Sequence, residues 1–219
     1  TSDSGSAFAP GGFAVVVDAR LDNRNDLVVA THSDPLASDA MLILSAYLKW
    51  GEATPERLLG DFAFAIWDGR KRMMFCARDH AGVRPLVYSE TAQGVAVASE
   101  IKGILAIGGE HRFSAEGMAD FLAGLAPERD ATWYSGIRRL PPGHAMSIKR
   151  GSNRVWAYWR PEPAANSISG DVVEQFQAIF NEAVRTRLAP DCGVFLSGGL
   201  DSSSIAVTGS RMASRELST

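Results

Sequence analysis

Residues Gly193-Val194-Phe195-Leu196-Ser197-Gly198-Gly199-Leu200-Asp201-Ser202-Ser203-Ser204 constrain this chain more than any other stretch. Val194 to Leu196 reads as a short buried strand, Gly198-Gly199 as a tight turn, and Ser202 onward as a helix with apolar residues from Ile205 to Met212. In that order the three pieces build an anion site. The glycines let backbone approach an anion with no Cβ in the way, and the free N–H groups at the positive end of the helix point at it. Ser197, Ser202 and Ser203 add hydroxyl donors. No lysine follows the glycines, so this is not the lysine-bearing phosphate loop. The plain alternative is a glycine turn that holds nothing. One strand and one helix cannot bury the faces of a parallel sheet, which needs several strands and helices on both sides. The expectation is therefore a chain that is the observed part of something longer.

The 219 residues are 46% hydrophobic and 21% charged, enough for a sizeable core and for two domains. A net charge of -3 argues against a nucleic-acid surface, which needs clustered Lys and Arg. Cys76 and Cys192 are too few for a disulfide framework and have no zinc-like spacing. That favours a reducing compartment, and with no secretory leader pattern and no long apolar run the expected location is the cytoplasm, away from membranes.

Along the chain, Thr1 to Gly12 reads as a loose Ser/Gly/Pro-rich lead, Phe13 to Val17 as a strand, and Asp18 to Asp26 as a polar, turn-prone stretch. Ser38 caps a helix through Met41, Leu44 and Leu48, and Thr54-Pro55-Glu56 opens a second, short one. Phe62 to Trp67 and Met73 to Ala77 read as a hairpin about Asp68-Gly69. Leu86 to Tyr88 pairs with Val95 to Ala98, helices follow after Ser99 and Ser114, and Ala145 to Lys149 and Val155 to Trp159 are strands. Residues 161–170 look like a linker between a domain over 1–160 and the beginning of another over 171–219. Asp171 and Glu174 form a capping box for a long helix with Phe176, Ile179, Phe180 and Val184 on one face.

Ser-Gly-Gly-Leu-Asp-Ser resembles the pyrophosphate-binding loop of the ATP pyrophosphatase superfamily, in which ATP is cleaved between its α and β phosphates to adenylate a substrate. Gly60-Asp61-Phe62-Ala63-Phe64-Ala65-Ile66-Trp67-Asp68, Arg78-Asp79 with Arg84-Pro85-Leu86, Ala98-Ser99-Glu100-Ile101-Lys102, Leu140-Pro141-Pro142-Gly143-His144 and Tyr158-Trp159 extend the likeness. Together they resemble the asparagine synthetase family. The resemblance implies an α+β N-terminal glutaminase-like sandwich (αββα, N-terminal nucleophile hydrolase type) followed by the start of an α/β ATP pyrophosphatase domain. It also implies ATP and Mg²⁺ as cofactors, with Leu196, Ser197, Gly198, Gly199, Leu200, Asp201, Ser202 and Ser203 holding the pyrophosphate. Asp201 resembles the metal-contacting aspartate of the family, and its plain role is to cap the next helix.

A working glutaminase of this type uses an N-terminal cysteine and an Asn-Gly pair that stabilises the oxyanion. No cysteine lies near the start, and Asp18-Ala19 stands where Asn-Gly is expected. A carboxylate beside a developing oxyanion repels it and donates nothing unless protonated. Arg20 replaces the acidic residue that normally follows. Thr1 is a nucleophile in principle, but its setting is poor. Asp39 matches the position that would hold the glutamine α-amine and equally reads as a carboxylate in the first turn of a helix. Cys76 reads as core and Cys192 as packing. Arg78, Asp79 and Arg84 read as a charge network fixing their loop, and His32, His80, His111 and His144 share no metal-like spacing.

Within the family, the Asp-x-Arg-Leu-Asp-Asn-Arg wording is most like the lasso-peptide macrolactam synthetases, near the β-lactam synthetases. That branch implies a precursor peptide or small carboxylate as substrate, with a precursor-binding protein or leader protease as partner; catalytic residues are expected beyond Thr219. Two alternatives are a glutamine-hydrolysing asparagine synthetase whose cysteine segment precedes this chain, and a non-catalytic relative that docks a partner.

Overall fold

The computed structural model of the protein describes residues 3–91, 94–108, 111–125, 130–162, 170–189 and 192–213. The chain divides into two units, residues 2–161 and 162–219.

Six antiparallel strands form the main sheet of the first unit, in the order β1 (Asp3–Ala9), β2 (Phe13–Leu21), β3 (Gly60–Asp68), β4 (Met73–Arg78), β8 (His144–Lys149) and β9 (Ser152–Ala157). A second sheet has the order β6 (Gly94–Ala98), β5 (Val87–Thr91) and β7 (Ile137–Arg139). Helices α1 (Arg24–Thr31) and α2 (Asp39–Trp50) precede β3, with a 3-10 turn at Gly51–Arg57. Helices α3 (Ile101–Ile107) and α4 (Ala115–Leu122) lie between β6 and β7.

Period-two alternation along the strands sorts the core into layers. Phe62, Phe64 and Ile66 of β3 and Met73, Phe75 and Ala77 of β4 pack in one cluster with Leu42, Ile43 and Tyr47 of α2. The intervening Ala63 and Cys76 turn to the opposite face, where they meet Leu86, Tyr88 and Leu140. Val87 points the other way again and packs with Ile137 and with Ile104 of α3. Helix, sheet, sheet and helix thus stack as the expected αββα sandwich. Burying each aromatic ring contributes on the order of 2–3 kcal/mol before chain entropy is subtracted.

Caps mark the helix starts at Ser38, Ser114 and Asp171 as the sequence indicated, whereas the short helix expected to open at Thr54-Pro55 is a 3-10 turn that already begins at Gly51 and has Pro55 inside it. Ser38 Oγ accepts from Met41 N at 3.3 Å and Ser114 Oγ from Gly117 N at 3.1 Å. In the second unit, Asp171 Oδ1 accepts from Val173 N and Glu174 N at 2.8 and 3.2 Å, opening α5 (Val172–Arg185).

Three further expectations need correction. The residues read as a loose lead form β1, a full edge strand paired with β2 from Asp3 opposite Ala19 to Ala9 opposite Phe13. A neighbouring strand supplies the hydrogen-bond partners that local propensity does not reveal. Asp18 and Ala19 lie inside β2, which runs on to Leu21, and the helix α1 follows where a polar turn was expected. Val194 to Leu196 is not a strand. Phe195 is wholly exposed, because among the described residues no second strand of the required sheet lies beside it. Thr1 and residues 163–169 of the expected linker lie outside the described residues.

Candidate functional sites

Two groups of the singled-out side chains gather, one in each unit. In the first unit, alternation sends Val17, Ala19 and Leu21 of β2 into the core under α2, so Asp18 and Arg20 project from the opposite face. Asp18 Oδ1 meets the guanidinium of Arg84, Nε lying 3.5 Å away. The two buried atoms form an ion pair without hydrogen-bond geometry and have no other hydrogen-bond partner among the described residues. Arg20 pairs with Asp22 and, at 3.1 Å, with Asp61 of β3, which stands directly opposite it in register. Burial opposes the Arg20 charge, but these two carboxylates outweigh it and raise its pKa.

Asp39 is buried at the start of α2, one residue after the cap. Its Oδ1 takes the guanidinium of Arg24 and its Oδ2 accepts from Leu21 N at 3.3 Å. Both oxygens are engaged, tying the end of β2 to α1 and α2. This is the plain role of a carboxylate at a helix start, strengthened by a cation from the preceding helix. A substrate amine at Asp39 would compete with Arg24.

The loop after β4 is fixed as anticipated, but by side-chain bonds to the backbone and not by a charge network, since Arg78, Asp79 and Arg84 form no ion pair with one another. Asp79 Oδ1 accepts from Ala81 N and Val83 N at 3.1 and 2.9 Å, and Oδ2 from Arg84 N at 2.9 Å. Arg78 donates to the carbonyls of Arg84 and Gly82, each at 2.6 Å, and of Leu140 at 2.9 Å. The Arg84 side chain is thereby left to reach Asp18. Tyr158 donates to Arg78 O at 2.8 Å, and burial, with the Asp79 charge adding, pushes its own hydroxyl pKa up. His80 sits edge-on to the rings of Phe62, Tyr158 and Trp159, and burial lowers its pKa. Gly60 begins β3 at φ +135, with the Arg20 carbonyl 2.1 Å from where a Cβ would stand. Only glycine allows β3 to pass this close to β2.

Cys76 is fully buried, as expected for core. Among the described residues no three His, Cys, Asp or Glu side chains cluster as a metal site. His32 ends α1 in the left-handed conformation, and His144 begins β8.

In the second unit, α6 (Leu200–Ala213) starts directly after the glycine turn. Ser197 Oγ lies 3.1 Å from Ser202 Oγ, and Ser197 N donates to Ser202 Oγ at 3.3 Å. Gly199 N donates to Ser197 Oγ at 3.4 Å. The two serines therefore lock the turn across the first turn of the helix. Gly198 has φ +76 with nothing among the described residues within 4 Å of a would-be Cβ, so they leave its approach side open. Leu196 and Leu200 are exposed on either side of the turn, and Ser203 N bonds back to Gly199 O at 3.2 Å. Asp201 lies inside the first turn of α6, so it is not the helix cap. An open glycine turn, two converging hydroxyls and the N-terminus of a fourteen-residue helix fit a phosphate anion. For Mg²⁺ this turn offers the single carboxylate of Asp201, which suits an ion held chiefly by phosphate oxygens.

Sequence reading missed Arg24 as the partner of Asp39 and Arg84 as the partner of Asp18. The matching charge signs were visible, but contacts across 15 and 66 positions carry no periodic signal.

A model of the glutamine amidotransferase domain matches residues 21–159, and one of asparagine synthase matches residues 175–219. Asparagine synthetase [glutamine-hydrolyzing] 3 of Bacillus subtilis is 35% identical over 84% of this chain and 31% of its own length. A putative asparagine synthetase [glutamine-hydrolyzing] of Mycobacterium tuberculosis is 31% identical over 92% of this chain and 34% of its own. The chain thus spans about a third of the length of these curated relatives. Among solved structures, glutamine phosphoribosylpyrophosphate amidotransferase of B. subtilis is similar at 15% identity and a TM-score of 0.49, covering 98% of this chain and 47% of that one. Among the described residues no helix is long and apolar enough to cross a membrane.

Proposed function

Since the chain belongs to the glutamine amidotransferase domain family, we propose that it forms part of an ATP-dependent, AMP-forming carbon–nitrogen ligase of the asparagine synthetase type. Its amine comes from the substrate itself, and the glutaminase-like unit no longer hydrolyses glutamine. The observation that carries this reading is the open Ser197–Ser202 turn at the N-terminus of α6. In the reaction a substrate carboxylate oxygen attacks the α-phosphorus of ATP and the α–β bond breaks. Pyrophosphate leaves, an amine then attacks the acyl carbon, and AMP departs with loss of the amine proton. The N–H groups of the turn and the hydroxyls of Ser197, Ser202 and Ser203 stabilise charge building on the leaving pyrophosphate. Asp201 would be the side chain to hold Mg²⁺ here, and the ion would supply neutralising charge on the phosphates.

The loss of glutaminase action rests on Asp18, whose carboxylate stands where an oxyanion donor is expected and is paired with Arg84. A ring-closing ligase acting on a precursor peptide, in the cytoplasm and with a precursor-binding protein or leader protease, fits a site that needs no external ammonia. The second reading, a glutamine-hydrolysing asparagine synthetase, is favoured by the names of the relatives.

The test incubates the intact protein with ATP, Mg²⁺ and either a candidate precursor peptide or aspartate plus glutamine. Loss of water from the peptide with AMP release is the expected result, abolished by Ser197→Ala. Glutamate formation from glutamine selects the second reading, and absence of any ATP turnover with either set rejects both.

A further inference from the structure

At the far end of the sandwich from Asp18, the two sheets of the first unit part around a cavity of about 1460 Å³. Its floor is one cross-strand row: Trp67 of β3 pairs with Met74 of β4, Met74 with Ile148 of β8, and Ile148 with Asn153 of β9. Val95 of β6 faces this row, and Asn153 Nδ2 donates to Glu90 Oε1 at 3.0 Å, fastening the two sheets along one side. Trp67 is 47% exposed, so an indole stands open at the other end of the row.

The rim is cationic. Arg72 from the β3–β4 turn, Lys149 at the end of β8 and Arg150 from the β8–β9 turn line the cavity. Met73 pairs with Lys149, so the two turns end side by side and bring Arg72 and Arg150 to the same margin. Among the described residues no ion pair or hydrogen bond engages these three side chains. Lys71 is not counted with them, because its ammonium lies over Tyr47 and 3.8 Å from Asp68. Arg72 holds φ +50, a left-handed conformation uncommon for arginine. Among the described lining residues, these three free cations face one carboxylate, Glu90, in a chain whose net charge is -3.

We propose that this cavity is a docking groove for an extended acidic peptide segment of a protein partner, with an aromatic or aliphatic side chain seated on Trp67 and Met74. Its carboxylates lie toward Arg72, Lys149 and Arg150, away from Glu90. The volume exceeds the roughly 300–1,000 Å³ of small-molecule pockets, which favours a chain-like occupant. An apolar strip edged by unpaired cations gives such a peptide both hydrophobic anchoring and charge steering. The ligase reading is not needed for this inference.

Fluorescence anisotropy of a labelled Glu-Glu-Phe-Glu-Glu peptide with the full chain tests it, with Gln-Gln-Phe-Gln-Gln and a short oligothymidylate as comparators. The acidic peptide is expected to bind, more weakly as salt rises, and the glutamine peptide at least about tenfold less well. Arg72→Asn with Arg150→Gln, and separately Trp67→Ala, should each weaken binding by about fivefold or more while circular dichroism stays unchanged. Asparagine tolerates the left-handed backbone at position 72. Equal binding of the two peptides, no binding of the acidic one, or variants that bind as well as the parent overturn the proposal. So does tighter binding of oligothymidylate with the same dependence on Arg72 and Trp67.

Discussion

The hydroxyl of Tyr47 on α2 donates to Asp68 Oδ2 at the end of β3, 2.9 Å away, and both residues are buried. Asp68 Oδ1 also accepts from Arg70 N and Lys71 N at 3.0 Å each. Burial alone would raise the Asp68 pKa, but the bonds from Lys71 N, Tyr47 and Arg70 N and the Lys71 charge prevail and hold it below the ordinary value. A carboxylate depressed in the folded state stabilises the fold above its unfolded pKa of about 3.9, and that contribution fades as pH falls through the folded value. Tyr47→Phe should therefore cost about 1–2 kcal/mol near neutrality. The deficit against the parent should shrink in acid below about pH 4, which urea unfolding at several pH values would measure.

Phe75 is fully buried, with ring centroids 5.5 Å from Tyr47, 5.8 Å from Phe64 and 6.1 Å from Trp156. Phe75→Ala removes a side chain that joins three aromatic neighbours and leaves a cavity. Chemical denaturation should show a loss of about 3–5 kcal/mol. A loss under about 1 kcal/mol would mean that this layer can collapse around the gap.

Gly60→Ala places a methyl group against the Arg20 carbonyl in a backbone region that disfavours side chains. The expected penalty is at least about 3 kcal/mol. The same strain would shift β3 against β2, so the Arg20–Asp61 pair should be disturbed in the variant's structure.

Burial pushes the Cys76 thiol pKa up to about 12, whereas Cys192 is partly exposed. Iodoacetamide at mild alkaline pH should alkylate Cys192 in the folded protein and reach Cys76 only on unfolding. Peptide mapping by mass spectrometry distinguishes the two sites, and rapid labelling of Cys76 under native conditions would contradict its placement in the core.

Gly198→Ala adds a methyl group to the open side of the turn at φ +76. Folding should lose no more than about 1–2 kcal/mol, because nothing there clashes. Nucleotide binding by the intact protein, followed by calorimetry, should fall much further if the turn holds phosphate.

The hairpin from β3 to β4 was plain in the sequence, because Phe62, Phe64 and Ile66 alternate with small residues and Asp68-Gly69 marks the bend. Helix starts at Ser38, Ser114 and Asp171 were equally plain, since capping is a local interaction. Strand β1 was hidden, because Asp-Ser-Gly-Ser has little strand preference and gains order only beside β2. The opposite error came at Val194–Leu196, where apolar residues suggest a strand but none forms without a neighbour. At the first candidate site Asp18 and Asp39 stood out as residues, but their arginines did not. An ion pair between separate elements follows from register and loop path, neither of which composition encodes.

The Arg78 guanidinium reaches three carbonyls drawn from the loop after β4 and the segment before β8. A guanidinium keeps its proton wherever the chain stays folded, so acidification has no means of releasing this clasp. Where the carboxylate contacts of the molecule slacken in acid, this corner should be the last part of the loop to come free, a ranking that amide hydrogen exchange at low pH can read directly.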